Sequence, residues 1–244
     1  MGTHLVPLPW PAQSARHWPR RASKSGRSPM EPDLRVLPYG RRAMLVELPD
    51  ARTRRAVTRT LQDHTVPGVD VVPAESTILL DISDPAVPDD AARALLADAR
   101  RMVDALDLAA LPPEEVRGGT PVTIDVQYHG PDLAEVAELF GGSVDAFIDW
   151  HTATPWMVEF LGFMPGFGYL TRPDHAERVA RRESPRSVIP AGSVGLAGSY
   201  CGIYPGTSPG GWQLIGHTDT VLFDPSGAGA LLRATDSVQF RAGR

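Results

Sequence analysis

Phe163-Met164-Pro165-Gly166-Phe167-Gly168-Tyr169-Leu170, Pro190-Ala191-Gly192-Ser193-Val194-Gly195 and Ser208-Pro209-Gly210-Gly211-Trp212 lie in a glycine-dense stretch, Phe160–Thr218, whose character differs from everything before it. Eleven of the chain's 23 glycines fall between residues 160 and 217, and they separate short runs rich in Val, Ile and Leu such as Ser187–Ile189. Short strands broken by frequent Gly and Pro turns predict a β-barrel or sandwich. Glycine also lets backbone N–H groups approach a ligand, as in an anion-binding nest or an oxyanion hole. Tight turns in a small barrel call for the same residues, so spacing alone leaves both readings open. Gly192, Gly195 and Gly198 recur every third residue, but no Gly-Lys-Ser/Thr follows, which excludes a P-loop.

Upstream of this stretch the pattern is that of packed helices and strands. Asp132 and Glu135 offer a capping pair for a helix carrying Leu133, Val136, Ala137 and Phe140, ended by Gly141-Gly142. Ser143 caps a second helix with Val144, Phe147, Ile148 and His151. Further back, strand-like runs at Leu34–Leu37, Ala43–Leu48, Val69–Val72 and Thr77–Ile82 interleave with helices near Ala51–Gln62 and around Ala92, Leu95, Leu96, Ala99, Val103 and Leu106. That order suggests a split βαβ, ferredoxin-like arrangement. Val122–Val126 either closes this first unit or opens the next. Pro112-Pro113-Glu114-Glu115 and Gly118-Gly119 mark a linker. The expected organisation is therefore a basic, disordered extension over 1–30, a domain over 31–117 and a barrel domain over 118–244. The extension carries Arg16, Arg20, Arg21, Lys24 and Arg27; it is read as unstructured or as preceding a true start at Met30.

Composition narrows the function. A net charge of −5, with 22% charged residues, offers no broad positive field for nucleic acid or anionic lipid. One cysteine, Cys201, excludes an intrachain disulfide framework and a multi-cysteine zinc site. No apolar run reaches the roughly 20 residues of a membrane-spanning helix, and no secretory signal core is present, so a cytoplasmic protein is expected. No metal site is indicated.

Several side chains in or near the glycine-rich stretch carry possible chemistry. Arg186 could hold a carboxylate or phosphate bidentately, or simply start a strand. Ser193 and Ser208 are hydroxyls set in glycine-rich turns, outside any Gly-x-Ser-x-Gly elbow. Glu159 offers a base or a solvent-facing strand carboxylate. Phe163, Phe167, Tyr169, Tyr204 and Trp212 can wall an apolar pocket, pack the barrel or meet a partner.

The three blocks quoted first, extended at the start by Gly162, occur in an order that resembles the family containing the 5-oxoprolinase B subunit, allophanate hydrolase subunit 1 and an inhibitor of a sporulation histidine kinase. The likeness runs back to Val36-Leu37-Pro38-Tyr39-Gly40 and Ala43-Met44-Leu45-Val46-Glu47. The resemblance implies an α+β chain in which a cyclophilin-like β-barrel follows the ferredoxin-like unit. It also implies a subunit of an ATP-dependent amidohydrolase acting on a lactam, amide or urea-like small molecule, such as 5-oxo-L-proline opened to L-glutamate. The expected partner is a C-type subunit of similar barrel fold, with a LamB/YcsF-type subunit in 5-oxoprolinase assemblies; ATP belongs to the assembly rather than necessarily to this chain. Alternatives in the same family are a histidine-kinase inhibitor and a carboxyltransferase of a biotin-dependent urea carboxylase. A peptidyl-prolyl isomerase is suggested by the implied barrel alone.

Under this resemblance His151, Arg186 and Ser193 are the catalytic candidates, His151 because the family has histidine there and imidazole titrates near neutrality. Phe163, Pro165, Gly166, Phe167, Tyr169, Pro190, Gly192, Gly195, Tyr204, Ser208, Gly210, Gly211 and Trp212 are the expected substrate-binding set. The sequence departs from the family at Gly168, at Ser199-Tyr200-Cys201-Gly202, where Gly-Gln-Thr-Gly is common, and at His217-Thr218, where Arg-Thr is common.

Overall fold

A computed structural model describes residues 34–64, 66–108, 110–111, 121–172, 179–227 and 229–243, all within one compact unit. The expected 1–30 extension and the linker over 112–120 lie outside the described residues.

Two large sheets, each with its own apolar core, form the bulk of this unit. The first contains β1 (Arg35–Tyr39), β2 (Ala43–Glu47), β3 (Asp70–Pro73) and β4 (Thr77–Asp81), with α1 (Ala51–Asp63) and α2 (Asp89–Asp104) connecting along the chain. Its order is β1-β2-β4-β3, antiparallel throughout. Period-2 alternation decides which side chains go inward: Ile78 and Leu80 of β4 and Val46 of β2 are buried with Val57 and Leu61 of α1 and Ala92, Ala99 and Val103 of α2. Asp50 starts α1 by accepting from the Thr53 amide at 2.8 Å, and this bond holds the Asp50 carboxyl below its ordinary range. The edge beside β2 is occupied by β1, its hairpin neighbour. Val122–Val126 does not close this sheet.

That segment, β5 (Val122–Val126), belongs instead to a seven-stranded sheet of order β12-β9-β10-β7-β6-β15-β5. The remaining members are β6 (Trp156–Leu161), β7 (Gly168–Thr171), β9 (Ser193–Ala197), β10 (Tyr200–Ile203), β12 (Gln213–His217) and β15 (Ser237–Ala242), with α3 (Leu133–Leu139) and α4 (Val144–Ala153) packed against it. β8 (Arg186–Ile189) and β11 (Ser208–Gly210) form a separate two-stranded ribbon, as do β13 (Phe223–Asp224) and β14 (Gly229–Ala230). β15 runs parallel to β5, whereas the other pairings in this sheet are antiparallel.

Past β5, Gln127 exchanges backbone hydrogen bonds of 2.8 and 2.9 Å with His217 at the end of β12. This bridge joins the two edges, so the sheet is nearly closed into a barrel. Val194, Leu196, Cys201, Ile203, Leu170 and Ile215 pack inside with α3 and α4. Alternating with them, Ala197, Tyr200, Tyr169 and Leu214 build a second cluster around Phe167, Ile189, Tyr204 and Trp212. Ser143 caps α4 as expected, accepting from the Ala146 amide at 3.2 Å.

Candidate functional site

The second apolar cluster brings together four of the residues expected to bind substrate, Phe167, Tyr169, Tyr204 and Trp212. Its wall is the loop between β6 and β7. There the Met164 amide donates to the Gly162 carbonyl at 2.8 Å around Phe163, whose φ is 68°. An i to i+2 hydrogen bond about a residue of positive φ is a γ-turn of the rare, strained hand. Such strain costs about 1–3 kcal/mol and persists only where its surroundings impose it. Phe163 nevertheless points outward, 59% exposed, with its ring edge toward Phe167 and Tyr204. Pro165 is exposed beside it, and Gly166 follows at φ 82° against the Leu222 carbonyl.

Behind this loop, Phe167 meets Tyr169, Tyr204 and Trp212 edge-on, with centroids 5.1–5.4 Å apart. Geometry of this kind is favourable beyond the area it buries. The rings lie directly on the sheet because Gly202 has no side chain: a Cβ there would sit 2.7 Å from Phe167 Cζ and 2.9 Å from Trp212 Cζ3. Gly195 and Gly210 likewise face Trp212 and Tyr204, and Gly211 follows Gly210. The glycines therefore admit the chain's own rings. Burial pushes the hydroxyls of Tyr204 and Tyr200 up to about 12; Glu75 and Glu159 add to the effect at Tyr200. Tyr169 is raised for the same reason. Ser208 lies on the ribbon with its Oγ buried and lacking a protein hydrogen-bond partner, while Pro190 is exposed at the turn into β9.

The three catalytic candidates do not converge. His151 is 0% exposed inside the barrel, its Nδ1 2.7 Å from Tyr128 Oη and its Nε2 3.5 Å from Cys201 Sγ, with Phe147, Trp156 and Phe240 around the ring. That is the surrounding of a hydrogen-bonded core histidine. Ser193 is buried in β9, where its carbonyl accepts from the Tyr204 amide at 2.9 Å. Cys201 is fully buried, and burial drives its thiol well above the ordinary thiol range.

Arg186 has a partner within the chain. It donates to Asp132 Oδ1 at 2.7 Å, and Arg182 donates to the same oxygen at 2.9 Å. The other carboxylate oxygen accepts from the Leu214 amide at 2.6 Å. Asp132, expected to cap α3, thus makes no cap bond and is spent on this buried knot, which ties the start of α3 to β8 and β12. Glu159, weighed above as a base or a solvent-facing carboxylate, is buried too. It takes Arg54 and, at 2.8 and 3.1 Å, Arg55 from α1, and accepts from Thr171 Oγ1 at 3.1 Å. Neither role showed in the local pattern, because both partners lie far away along the chain.

A mixed α+β chain with a nearly closed barrel, an aromatic cluster on its outer side and a strained aromatic lip is the class these observations define. The chain belongs to the family described as carboxyltransferase domain, subdomain C and D, whose family model matches residues 34–232. It is 49% identical over 112 residues to the 5-oxoprolinase B subunit of Escherichia coli O157:H7, covering 46% of this chain and 51% of that one. Against the 5-oxoprolinase B subunit of Bacillus subtilis (strain 168) it is 49% identical over 112 residues, covering 46% and 47%. The chain thus spans about half the length of the curated relatives it matches. Among solved structures, TTHA0988 in space group P212121 superposes with a TM-score of 0.64 at 34% identity, covering 83% of this chain and 40% of that one. The Kluyveromyces lactis urea carboxylase gives 0.61 at 17% identity, covering 91% and 23%, a likeness of fold.

Proposed function

We propose that this chain is a subunit of a multi-subunit, ATP-dependent amidohydrolase of the 5-oxoprolinase type, opening 5-oxo-L-proline to L-glutamate with a C-type subunit and a LamB/YcsF-type subunit. The observation that carries this reading is the 49% identity to two proteins named as the B subunit of 5-oxoprolinase. The outer aromatic cluster supports it. Phe163, beside Phe167 and Tyr204, and the neighbouring Pro165 form an exposed apolar lip, suited to meeting a second subunit across a small amide. On this reading the first sheet is a ferredoxin-like variant, the second a cyclophilin-like barrel, and the protein works in the cytoplasm.

ATP enters the proposal as a substrate of the assembly. The glycine-rich turns of this chain fit phosphates poorly: Gly202 faces Phe167 and Trp212, and Gly192 faces the Thr218 carbonyl and the His217 ring. Nucleotide handling is therefore assigned to another subunit. The test is reconstitution of the three subunits and assay of ATP-dependent glutamate release from 5-oxo-L-proline. Glutamate release that requires this chain supports the reading. An assembled complex that leaves 5-oxo-L-proline untouched overturns it, and turnover of urea or allophanate would reassign the substrate.

A further inference from the structure

We propose that the outer face of the barrel seam holds a separate binding site for a small zwitterion of the α-amino-acid class. The seam is where Gln127, continuing β5, bridges to His217 of β12. A cleft of about 810 Å³ opens there, a size suited to a small metabolite. Asp125 and Gln127 are two residues apart and both line it, so their Cα atoms are about 7 Å apart on one side of the strand. Arg241 of β15 pairs with Asp125 at 2.9 and 3.1 Å. On the other side of the bridge, His217 Nε2 is 3.4 Å from Asp219 Oδ1. Arg241, Asp125, Gln127, His217 and Asp219 thus line one cleft across the seam, with a guanidinium and a carboxylate on one side of the bridge and an imidazole and a carboxylate on the other.

The Arg241–Asp125 ion pair and the His217–Asp219 contact are both solvent-exposed, with Arg241 and Asp125 at 63% and 61% and Asp219 at 88%. Exposed pairs contribute little by themselves, so a ligand can exchange into them at small cost. A carboxylate matches the Arg241 fork, and an ammonium matches the Asp219 carboxylate that lines the same cleft. The floor beneath is closely packed. Gly192, at φ 79°, lets the His217 ring close down on the turn, for a Cβ there would stand 2.6 Å from His217 Cε1. Thr220 completes that end, its amide donating to Thr218 Oγ1 at 3.2 Å.

The measurement is a titration of the isolated, folded chain, without partners or ATP, followed by amide NMR shifts at Gln127, His217 and Asp219. The probes are L-glutamate, glutarate, which lacks the ammonium, and 1,5-diaminopentane, which lacks the carboxylates. Saturable shifts with L-glutamate at a Kd of about 1 mM or tighter, weakened roughly tenfold by Arg241→Gln and by Asp219→Asn, are expected. Absence of saturation, equal binding of glutarate or the diamine, or indifference to both substitutions overturns the site. Asp219 is exposed enough that its substitution leaves the fold intact and carries the test if Arg241→Gln does not fold. Since no turnover is measured, failure here is distinct from failure of the 5-oxoprolinase reading.

Discussion

Arg54 of α1 and Glu159 of β6, 105 residues apart in the chain, meet as a buried ion pair that joins the four-stranded sheet's helix to the barrel. Taking one charge away strands the other in low dielectric, which costs about 3–5 kcal/mol. Glu159→Ala should lower the urea unfolding free energy by that amount. The double change Arg54→Met with Glu159→Leu should restore much of it, because the fully buried guanidinium then leaves with its carboxylate, while Arg55, 21% exposed, keeps access to water.

His151→Ala removes hydrogen bonds to Tyr128 and Cys201 and opens a cavity among Phe147, Trp156 and Phe240. A loss of about 2–4 kcal/mol in thermal or urea unfolding is expected. The pH profile of any turnover retained by the reconstituted assembly should stay unshifted, as befits a residue without access to solvent.

Gly202→Ala places a methyl against Phe167 and Trp212. Overpacking of this kind costs about 1–3 kcal/mol. Near-UV circular dichroism should report the displaced rings, and a spectrum and melting temperature identical to the parent would contradict the packing described.

Alkaline titration reads the tyrosines. Tyr200 and Tyr204 ionise near 12 in the fold against an ordinary value of 10.0, so the folded state holds its protons longer than the unfolded one. Their contribution to stability is complete below pH 10 and lost as pH rises toward 12. Absorbance at the phenolate band should show these two groups ionising only as the protein unfolds.

Phe163→Gly relieves the γ-turn strain and removes the exposed ring together. Folding stability should stay level or rise by up to about 1 kcal/mol, because relief of strain opposes the added chain entropy. Under the proposed assembly, association with a C-type subunit should weaken, measured by analytical ultracentrifugation of the mixed subunits.

Local pattern revealed what depends on local chemistry. Ser143 marked the start of α4, the spacing of Ala92, Ala99 and Val103 marked α2, and the density of glycine between residues 160 and 217 marked a barrel or sandwich of short strands. Phe167, Tyr169, Tyr204 and Trp212 carried three readings alike, pocket wall, barrel packing or partner contact, and the fold gathers them into one cluster. Pairings at long separation left no such trace. The Asp132 carboxylate looked like a helix cap, since nothing nearby disclosed Arg182, Arg186 or the Leu214 amide as competitors for it. His151 carried the chemistry of a catalyst and the helical spacing of a core residue, and only the depth of the barrel distinguishes the two. β5 could belong to either sheet until its partner, β15, was placed beside it.

That partner also imposes an order on biosynthesis. β15 lies between β6 and β5, and the Asp125–Arg241 contact alongside it closes a separation of 116 residues. While the ribosome is still adding residues up to 236, β5 lacks the neighbour it has in the finished sheet, so the emerging barrel exposes an unpaired edge. The first sheet has all four of its strands by residue 81 and meets no such delay. Ribosome-bound chains stalled before β15 should therefore recruit chaperones that chains stalled beyond it, with the strand clear of the exit tunnel, release.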